Sequence, residues 1–395
     1  MAAASDASDI ARRTAIAGIG ATEFSKDSGR SELRLAVEAV KAALDDAGLV
    51  PQDVDGLVTF TMDNNPEIEV NRYLGGGDLR FFSRTHFGGG AACGPILHAA
   101  MAVATGVCDV VVCYRAMNER SEYRFGQAFL PPPVPSAESA NWSWSVPFGL
   151  ATPAAWVAMA ARRYMHDFGA TSEDFGRVSV ACRRHAATNP NAWFYRKPIT
   201  LAQHQASRWI VEPLRLLDCC QESDGAVALV VTRAERARDL KHKPALIRAA
   251  AQGAQDEQMN MTSFYRADIA ALSEMRLVAQ QLYAMSGLGP EDIQTAILYD
   301  HFSPFVLPQL EVFGFCGRGE GKDFVRDGNI ELGGGLPVNT HGGQLGEAYI
   351  HGLNGVAEAV RQVRGTAVNQ VPGVLNVLVT AGTGVPTSAA ILAAA

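Results

Sequence analysis

The same order of apolar segments occurs twice in this chain, and that recurrence bounds its architecture more tightly than any other feature. Residues 14–20 (TAIAGIG) are apolar and rich in β-formers. They are followed by SELRLAVEAVKAALDDAGL (31–49), in which Leu33, Val37, Val40, Ala43 and Leu44 recur at helical spacing until Gly48 ends the pattern. A strand over 57–60, a glycine-rich turn at 88–90, a small-residue helix running to Gly106 and a buried strand over 110–114 complete a β-α-β-α-β order. The order returns at residue 245 with the strand ALIRAA, a helix over 268–285, a strand over 295–299, a glycine-rich turn near Gly342, a helix over 355–363 and a strand over 374–380. The expectation is a duplicated α/β unit. The helices after each turn can then pack against each other in the middle, which suits the small, uncharged residues AACGPILHAAMAVATG (91–106). Other parallel α/β enzymes yield similar runs, and periodicity alone does not choose between them.

The predicted halves cover 14–242 and 243–395, with residues 1–13 expected as a disordered tail. Residues from about 115 to 220 interrupt the first half with PPPVP (131–135), WSWSVPF (142–148) and two predicted helices. They are expected to form a loop domain over the site.

A chain that is 48% hydrophobic and 19% charged is not intrinsically disordered. A net charge of -7 argues against a nucleic-acid surface, which needs clustered Lys and Arg. Residues 87–107 are apolar enough to suggest a membrane span, but they contain glycines, Pro95 and His98 and run into Asp109, so a buried helix is expected and no membrane insertion. Residues 1–13 lack the apolar stretch of a signal peptide, and seven cysteines without a CxxC pair suit reduced thiols; both point to the cytoplasm. GIGATE (18–23) follows a strand but lacks the third glycine of a dinucleotide fingerprint, and the histidines have no partners at metal-ligand spacing. No metal is expected.

Three segments carry a resemblance. PLRLLDCCQESDGAVALVVTRAERA (213–237), YDHF (299–302) and VNTHGGQLGEAYIHGLNGVAEAV (338–360) resemble, in that order, the strand-forming segment, the HDCF motif and the NPSGG…GHPxGATG segment of the lipid-transfer-protein branch of the thiolase superfamily, the sterol-carrier-protein thiolases. The resemblance spans nearly the whole chain. It implies an α/β thiolase fold, a five-layer αβαβα body of two duplicated halves with a loop-domain insertion, usually dimeric. Thiolases use two cysteines and a histidine. The nucleophilic cysteine falls on Gly89, or on Ala91 when Gly94 is the anchor, and Cys93 enters only with a shifted alignment. The GHP histidine falls on Tyr349, its proline on Ile350, and the second cysteine on Thr380. The groups that form and resolve an acyl-thiol intermediate are all replaced.

Tyr299 takes the first position of the HDCF motif, so two phenols converge by analogy where thiolases hold an oxyanion or a catalytic water. A phenol donates to a developing oxyanion at neutral pH and, when its pKa falls, accepts a proton. This pattern resembles the steroid side-chain aldolases of bacterial sterol catabolism. That resemblance implies retro-aldol cleavage of a steroid side-chain 3-hydroxyacyl-CoA of the 17-hydroxy-3-oxo-pregnene-20-carboxyl-CoA type, giving a 17-ketosteroid and propionyl-CoA. It also implies no bound cofactor, with CoA as part of the acyl-CoA substrate, a homodimer, and a small partner with an OB fold and zinc ribbon.

Tyr349 is the candidate for the substrate hydroxyl proton, and Tyr299 for the second acid/base or oxyanion donor; the alternative for each is a core tyrosine bonded to a backbone carbonyl. Asp300, His301, His351 and His341 are candidate supporting groups, with Asp300 able instead to pin its loop. Gly89, Asn339, Gly342 and Gly343 are candidates for shaping the oxyanion site and its turn. The aromatic segments 142–148 and 193–198 could wall an apolar substrate or form an interface. Two other functions stand beside the aldolase: a degenerate thiolase using Cys93 on a 3-ketoacyl-CoA, and a non-catalytic acyl-CoA or sterol-binding subunit. Cys93 itself reads more readily as a small buried hydrophobe.

Overall fold

The first strand, β1 (Thr14–Ala21), lies against the helix Glu32–Ala47, whose Leu35, Ala36, Ala39, Val40, Ala43, Leu44 and Ala47 form the buried face. The Ser31 hydroxyl accepts the Arg34 N–H at 3.3 Å to start this helix, and Gly48 ends it in the left-handed region at φ 74°. A Cβ at Gly18 would lie 2.2 Å from the Ala43 carbonyl oxygen, and one at Gly20 2.3 Å from that of Ala39. The glycines that suggest a nucleotide fingerprint therefore let a helix approach a strand.

The computed structural model describes residues 10–86, 88–124, 126–127, 137–256, 258, 263–382 and 387–395. Its further strands are β2 (Gly56–Phe60), β3 (Phe81–Thr85), β4 (Val110–Asn118), β5 (Trp209–Val211), β6 (Leu214–Arg215), β7 (Asp224–Arg233), β8 (Ala245–Gly253), β9 (Thr295–Ile297), β10 (Asn376–Thr380) and β11 (Thr387–Ala394). β5 and β6 pair with each other, and the rest form a 9-stranded sheet in the order β3-β2-β4-β7-β1-β8-β11-β10-β9.

The duplication is written in strand direction. From β2, the pairs β2·β4, β4·β7 and β7·β1 are parallel, antiparallel and antiparallel; from β9, the pairs β9·β10, β10·β11 and β11·β8 repeat that series. The halves join where Ala15 and Ile16 of β1 pair with Leu246 and Ala245 of β8. Between the halves lie the helices Gly94–Ala104 and Leu353–Arg364. Ile96, Ala99, Val103, Leu353, Val356 and Val360 share one buried cluster with Val111 and Leu229 from one half of the sheet and Val377 and Leu392 from the other. Separate clusters cover each outer face. The result is the expected five layers, with each fully buried aliphatic side chain contributing roughly 1.5–3 kcal/mol.

Several local expectations need correction. The first half carries an extra helix, Glu67–Leu74, and an edge strand, β3. The sequence FFSRT of β3 lacks the apolar alternation that would reveal it, and Phe82 points outward, 62% exposed. Its counterpart in the second half is a single parallel bridge, Ala296↔Val338. The helix expected from 268 begins at Ser273, because Leu272 sits in the left-handed region at φ 43°. The central helix ends at Ala104, before Gly106. The segment PPPVP and the tail through residue 9 lie outside the described residues, while Arg12 donates its N–H to the Ile247 carbonyl at 3.0 Å. Between β4 and β7, the helices Pro153–Phe168 and Ser172–Thr188 pack Val157, Ala161, Phe175 and Val178 onto the outer cluster of the second half. Among the described residues, no helix is long and apolar enough to cross a membrane.

Candidate active site

The turns that precede the two central helices converge with the segment after β9 on a cleft of about 470 Å³. Gly88, Gly89 and Gly90 come from the first turn, Tyr349 and His351 from the second, and Tyr299 from just beyond β9. The Tyr299 hydroxyl donates to that of Tyr349 at 3.1 Å, with the rings nearly perpendicular at 71°. Tyr299 is buried among glycines. A Cβ at Gly89 would lie 1.9 Å from the Tyr299 hydroxyl oxygen, one at Gly352 2.9 Å from its ring, and one at Gly382 3.0 Å from its ring. The backbone of Tyr299 is clamped as well: its N–H donates to Thr380 Oγ1 (2.9 Å) and Gln309 Oε1 (3.3 Å), and Gln309 Nε2 donates back to its carbonyl at 2.8 Å. The Thr380 hydroxyl donates to Gln309 Oε1 at 2.6 Å. These bonds take the place of a strand ladder, so β9 stops at Ile297 rather than at 299.

Burial pushes both phenols well above their ordinary value, and each is neutral at physiological pH. No standing phenolate base exists; paired neutral hydroxyls of this kind can relay a proton, one oxygen accepting while its neighbour passes one on. The cleft also holds Glu119, whose carboxyl burial pushes well up, with a further upward push from Glu222. Its Oε2 has no hydrogen-bond partner. His301 lies 5.0 Å from the Tyr299 ring, held neutral by burial that lowers it to about 3. His351 stands edge-on to Tyr349 at 5.2 Å.

Residues 254–394 match the family described as Thiolase C-terminal domain-like. The chain is 69% identical to the steroid side-chain-cleaving aldolase of Thermomonospora curvata over 381 residues, 96% of this chain and 97% of that one. It is 67% identical to the 17-hydroxy-3-oxo-4-pregnene-20-carboxyl-CoA lyase of Mycobacterium tuberculosis over 385 residues, 97% of this chain and 100% of the other. The chain belongs to the steroid side-chain-cleaving aldolase family. A solved structure of an Ltp2-ChsH2(DUF35) aldolase matches it with a TM-score of 0.94 at 68% identity, covering 98% of each chain.

In this member of the aldolase family, the remaining candidates divide by position. His301, His351 and Gly89 line the cleft beside the two tyrosines; Asp300, His341, Asn339, Gly342 and Gly343 do not. Asp300 faces the turn below, accepting the N–H groups of Gln344 (2.8 Å) and Leu345 (3.3 Å), and burial raises it to about 6. A Cβ at Gly343 would strike its carboxylate at 2.0 Å. Asn339, at φ 53°, donates to the Leu298 carbonyl at 2.9 Å and accepts the Gly342 N–H on its own carbonyl at 2.8 Å. His341 is buried 3.8 Å from Glu347 and lowered to about 3. Together these residues build the support under Tyr349.

Cys93 is the small buried hydrophobe it was expected to be, and two other thiols reach the site. Cys93 does not line the cleft: it is fully buried, its Sγ faces the Val379 carbonyl at 3.6 Å, and burial pushes its thiol up. Cys219 and Cys220 line it instead, because Cys219 bridges Phe302 and the Cys220 N–H donates to the His301 carbonyl at 2.8 Å, drawing the loop before β7 over the site. Burial raises both, Cys219 to about 12, so neither is an activated thiolate. The aromatic segments expected as a possible wall also stand outside the lining. Trp144 and Phe148 are 79% and 83% exposed, and the Trp193 N–H donates to the Glu347 carbonyl at 3.0 Å.

Glu119, Gln309, Asp63 and Arg115 escaped the sequence reading. Arg115 offered a signal, since an arginine inside the apolar run VVVCYRAM demands a buried partner. Among the described residues, no group of three or more His, Cys, Asp or Glu could hold a metal ion.

Proposed function

We propose that the chain cleaves 17-hydroxy-3-oxo-4-pregnene-20-carboxyl-CoA by a retro-aldol reaction to a 17-ketosteroid and propionyl-CoA. The observation that carries this reading is the phenol pair: Tyr299 fills the space a side chain at position 89 would need, so the cleft offers proton-transfer groups in place of a thiol nucleophile. The names and full-length identities of the two relatives supply the substrate.

Tyr349 takes the proton of the substrate hydroxyl while the adjacent carbon–carbon bond breaks. The bonding electrons move into the thioester carbonyl as an enolate, and the carbinol carbon becomes the ketone. Tyr299 returns a proton to the enolate carbon, completing propionyl-CoA. Hydroxyl hydrogens rotate, so the pair passes one proton in either direction across its 3.1 Å contact. One proton moves from oxygen to carbon, and no electron acceptor is consumed. CoA enters as part of the substrate, with no resident cofactor.

The working assembly is a homodimer in the cytoplasm joined by a small OB-fold and zinc-ribbon partner. The relative described as an Ltp2-ChsH2(DUF35) aldolase supports the partnership.

The test is to supply the full-length chain, alone and with a co-expressed DUF35-type partner, with the steroid thioester. The expected result is propionyl-CoA and 17-ketosteroid in equal amounts without added CoA. CoA-dependent cleavage of a 3-ketoacyl-CoA would make the chain a thiolase, and tight acyl-CoA binding without turnover would make it a binding subunit; either ends this reading.

A further inference from the structure

An arginine side chain has only donors, so a nitrogen that bonds to it must present a lone pair. Arg115 Nε donates to His351 Nδ1 at 3.1 Å, and Arg115 Nη1 donates to Asp63 Oδ2 at 3.0 Å. Asp63 Oδ2 also accepts the Ala116 N–H at 3.3 Å. Arg115 is 2% exposed and Asp63 3%. Nδ1 of His351 is therefore unprotonated, and the single ring hydrogen sits on Nε2. Burial and the neighbouring guanidinium both hold the imidazole well below its ordinary value, keeping it neutral. The backbone of His351 adopts φ 48°, uncommon for a residue with a Cβ. The ring lines the cleft beside Tyr349, with Nε2 over Gly88, 3.4 Å from where a Cβ would stand.

We propose that His351 donates its Nε2–H to the thioester oxygen of the acyl-CoA, in a tautomer imposed by the buried Asp63–Arg115 pair. The proposal rests on the retro-aldol reading. As the carbon–carbon bond breaks, charge gathers on the thioester oxygen, while the two phenols are engaged with the proton that travels from hydroxyl to carbon. A neutral imidazole stabilises that charge without surrendering a proton to the oxygen, as an imidazolium would. Arg115 and Asp63 are positioning residues acting through His351. Tyr349 stands edge-on to it on its own turn, and the other titratable or charged groups of the cleft wall are Tyr299, His301, Glu119, Glu222, Cys219, Cys220, Arg124 and Arg208.

Two measurements test this separately. In the full-length chain labelled with ¹⁵N-histidine and free of substrate, the His351 signal, assigned by its loss in His351→Gln, is expected to show an unprotonated Nδ1 and a protonated Nε2 between about pH 5 and 8. Arg115→Met should mix the tautomers, and Arg115→Lys, which keeps charge and donor, should preserve them should the first variant fail to fold. A proton on Nδ1, or a second proton taken up in that range, overturns the assignment whatever the substrate. With the steroid thioester, His351→Phe should lower kcat roughly 10²–10³-fold with little change in KM. His351→Gln, whose amide nitrogen reaches the place of Nε2, should recover part of that loss. An unchanged kcat in His351→Phe overturns the proposal. Absence of propionyl-CoA from the wild-type chain overturns the retro-aldol reading instead and leaves the tautomer standing.

Discussion

Gly89 and Tyr299 share one volume: a side chain at position 89 would begin 1.9 Å from the Tyr299 hydroxyl oxygen. A cleft of this shape holds either a nucleophile on the first turn or a phenol from the second half, never both. A Cβ at Gly352 or Gly382 would likewise lie 2.9 or 3.0 Å from the same ring, so the phenol occupies room that three glycines leave open.

Restoring a thiol at this position therefore creates no thiolase. Gly89→Cys and Gly89→Ala should both displace the Tyr299 hydroxyl, lowering release of propionyl-CoA roughly 10²-fold, the effect of moving a catalytic group by about 1 Å. Overpacking should also cost roughly 1–3 kcal/mol of stability. Tyr299→Ala in the Gly89→Ala background should return stability without returning activity. If the two substitutions instead add independently in urea denaturation, the shared volume is disproved.

The proposed relay requires the two phenols to act as a unit. Tyr299→Phe and Tyr349→Phe should each lower kcat by roughly 10²–10⁴-fold, and the double variant should be little worse than the weaker single one, because either change breaks the same relay. Burial holds both phenols above their ordinary value of 10, so ionisation of the pair should not limit the rate at neutral pH. Multiplicative losses in the double variant would mean that the two hydroxyls work separately.

Gln309 holds Tyr299 from behind. Its amide donates to the carbonyls of Tyr299 and Phe305, each at 2.8 Å, while its oxygen accepts from Thr380. Gln309→Leu leaves these buried groups unpaired, at about 1–3 kcal/mol for each. The urea midpoint should fall, with kcat falling as well because Tyr299 is no longer held. A drop in stability with kcat preserved would reduce Gln309 to a packing role.

The repeated apolar order exposes the duplicated body, and the motif positions alone bring Tyr299 and Tyr349 to one site. What stayed hidden depends on distance along the chain. Arg115 and His351 are 236 residues apart, and Gln309 reaches Thr380 across 71. Neither contact leaves a periodicity. Cys220 lines the cleft for a related reason: no thiolase motif places a thiol there, and only the Cys219↔Phe302 bridge draws the loop before β7 over the cleft. β3 went unseen because an edge strand needs little apolar surface on its outward face.

Glu347 should give stability a measurable pH slope. It is 1% exposed, accepts from Asn354 (2.9 Å) and Asn189 (3.1 Å), and is raised from 4.5 to about 7 in the folded chain. The folded state thus holds a proton that the unfolded state has released, so this contribution is present below pH 4.5 and lost as pH rises through 7. Glu347→Gln loses an acceptor at every pH, a constant offset, but removes the titration. Its stability relative to wild type should therefore rise across that interval by roughly 3 kcal/mol. Titration of His341 in the unfolded chain is common to both proteins and cancels. Parallel stability curves would show that Glu347 does not carry the proton.

Burial pushes the Glu119 carboxyl in the cleft wall well above its ordinary value, and its ionisation should oppose the reaction. Desolvation and Glu222 hold the proton on, while Lys26, itself pushed down to about 8 by burial, and Arg115 pull the other way. As pH rises past the elevated value, Glu119 becomes an anion near both phenols and the developing enolate, which raises the energy of every negatively charged species there. The wild-type rate should decline on the alkaline side, and Glu119→Gln, measured against its own maximum, should hold to higher pH. Any decline due to Lys26 losing its proton remains in both proteins, so the difference between the two profiles isolates the carboxyl. Superimposable profiles would mean that Glu119 stays uncharged throughout or lies too far from the reacting oxygen to matter.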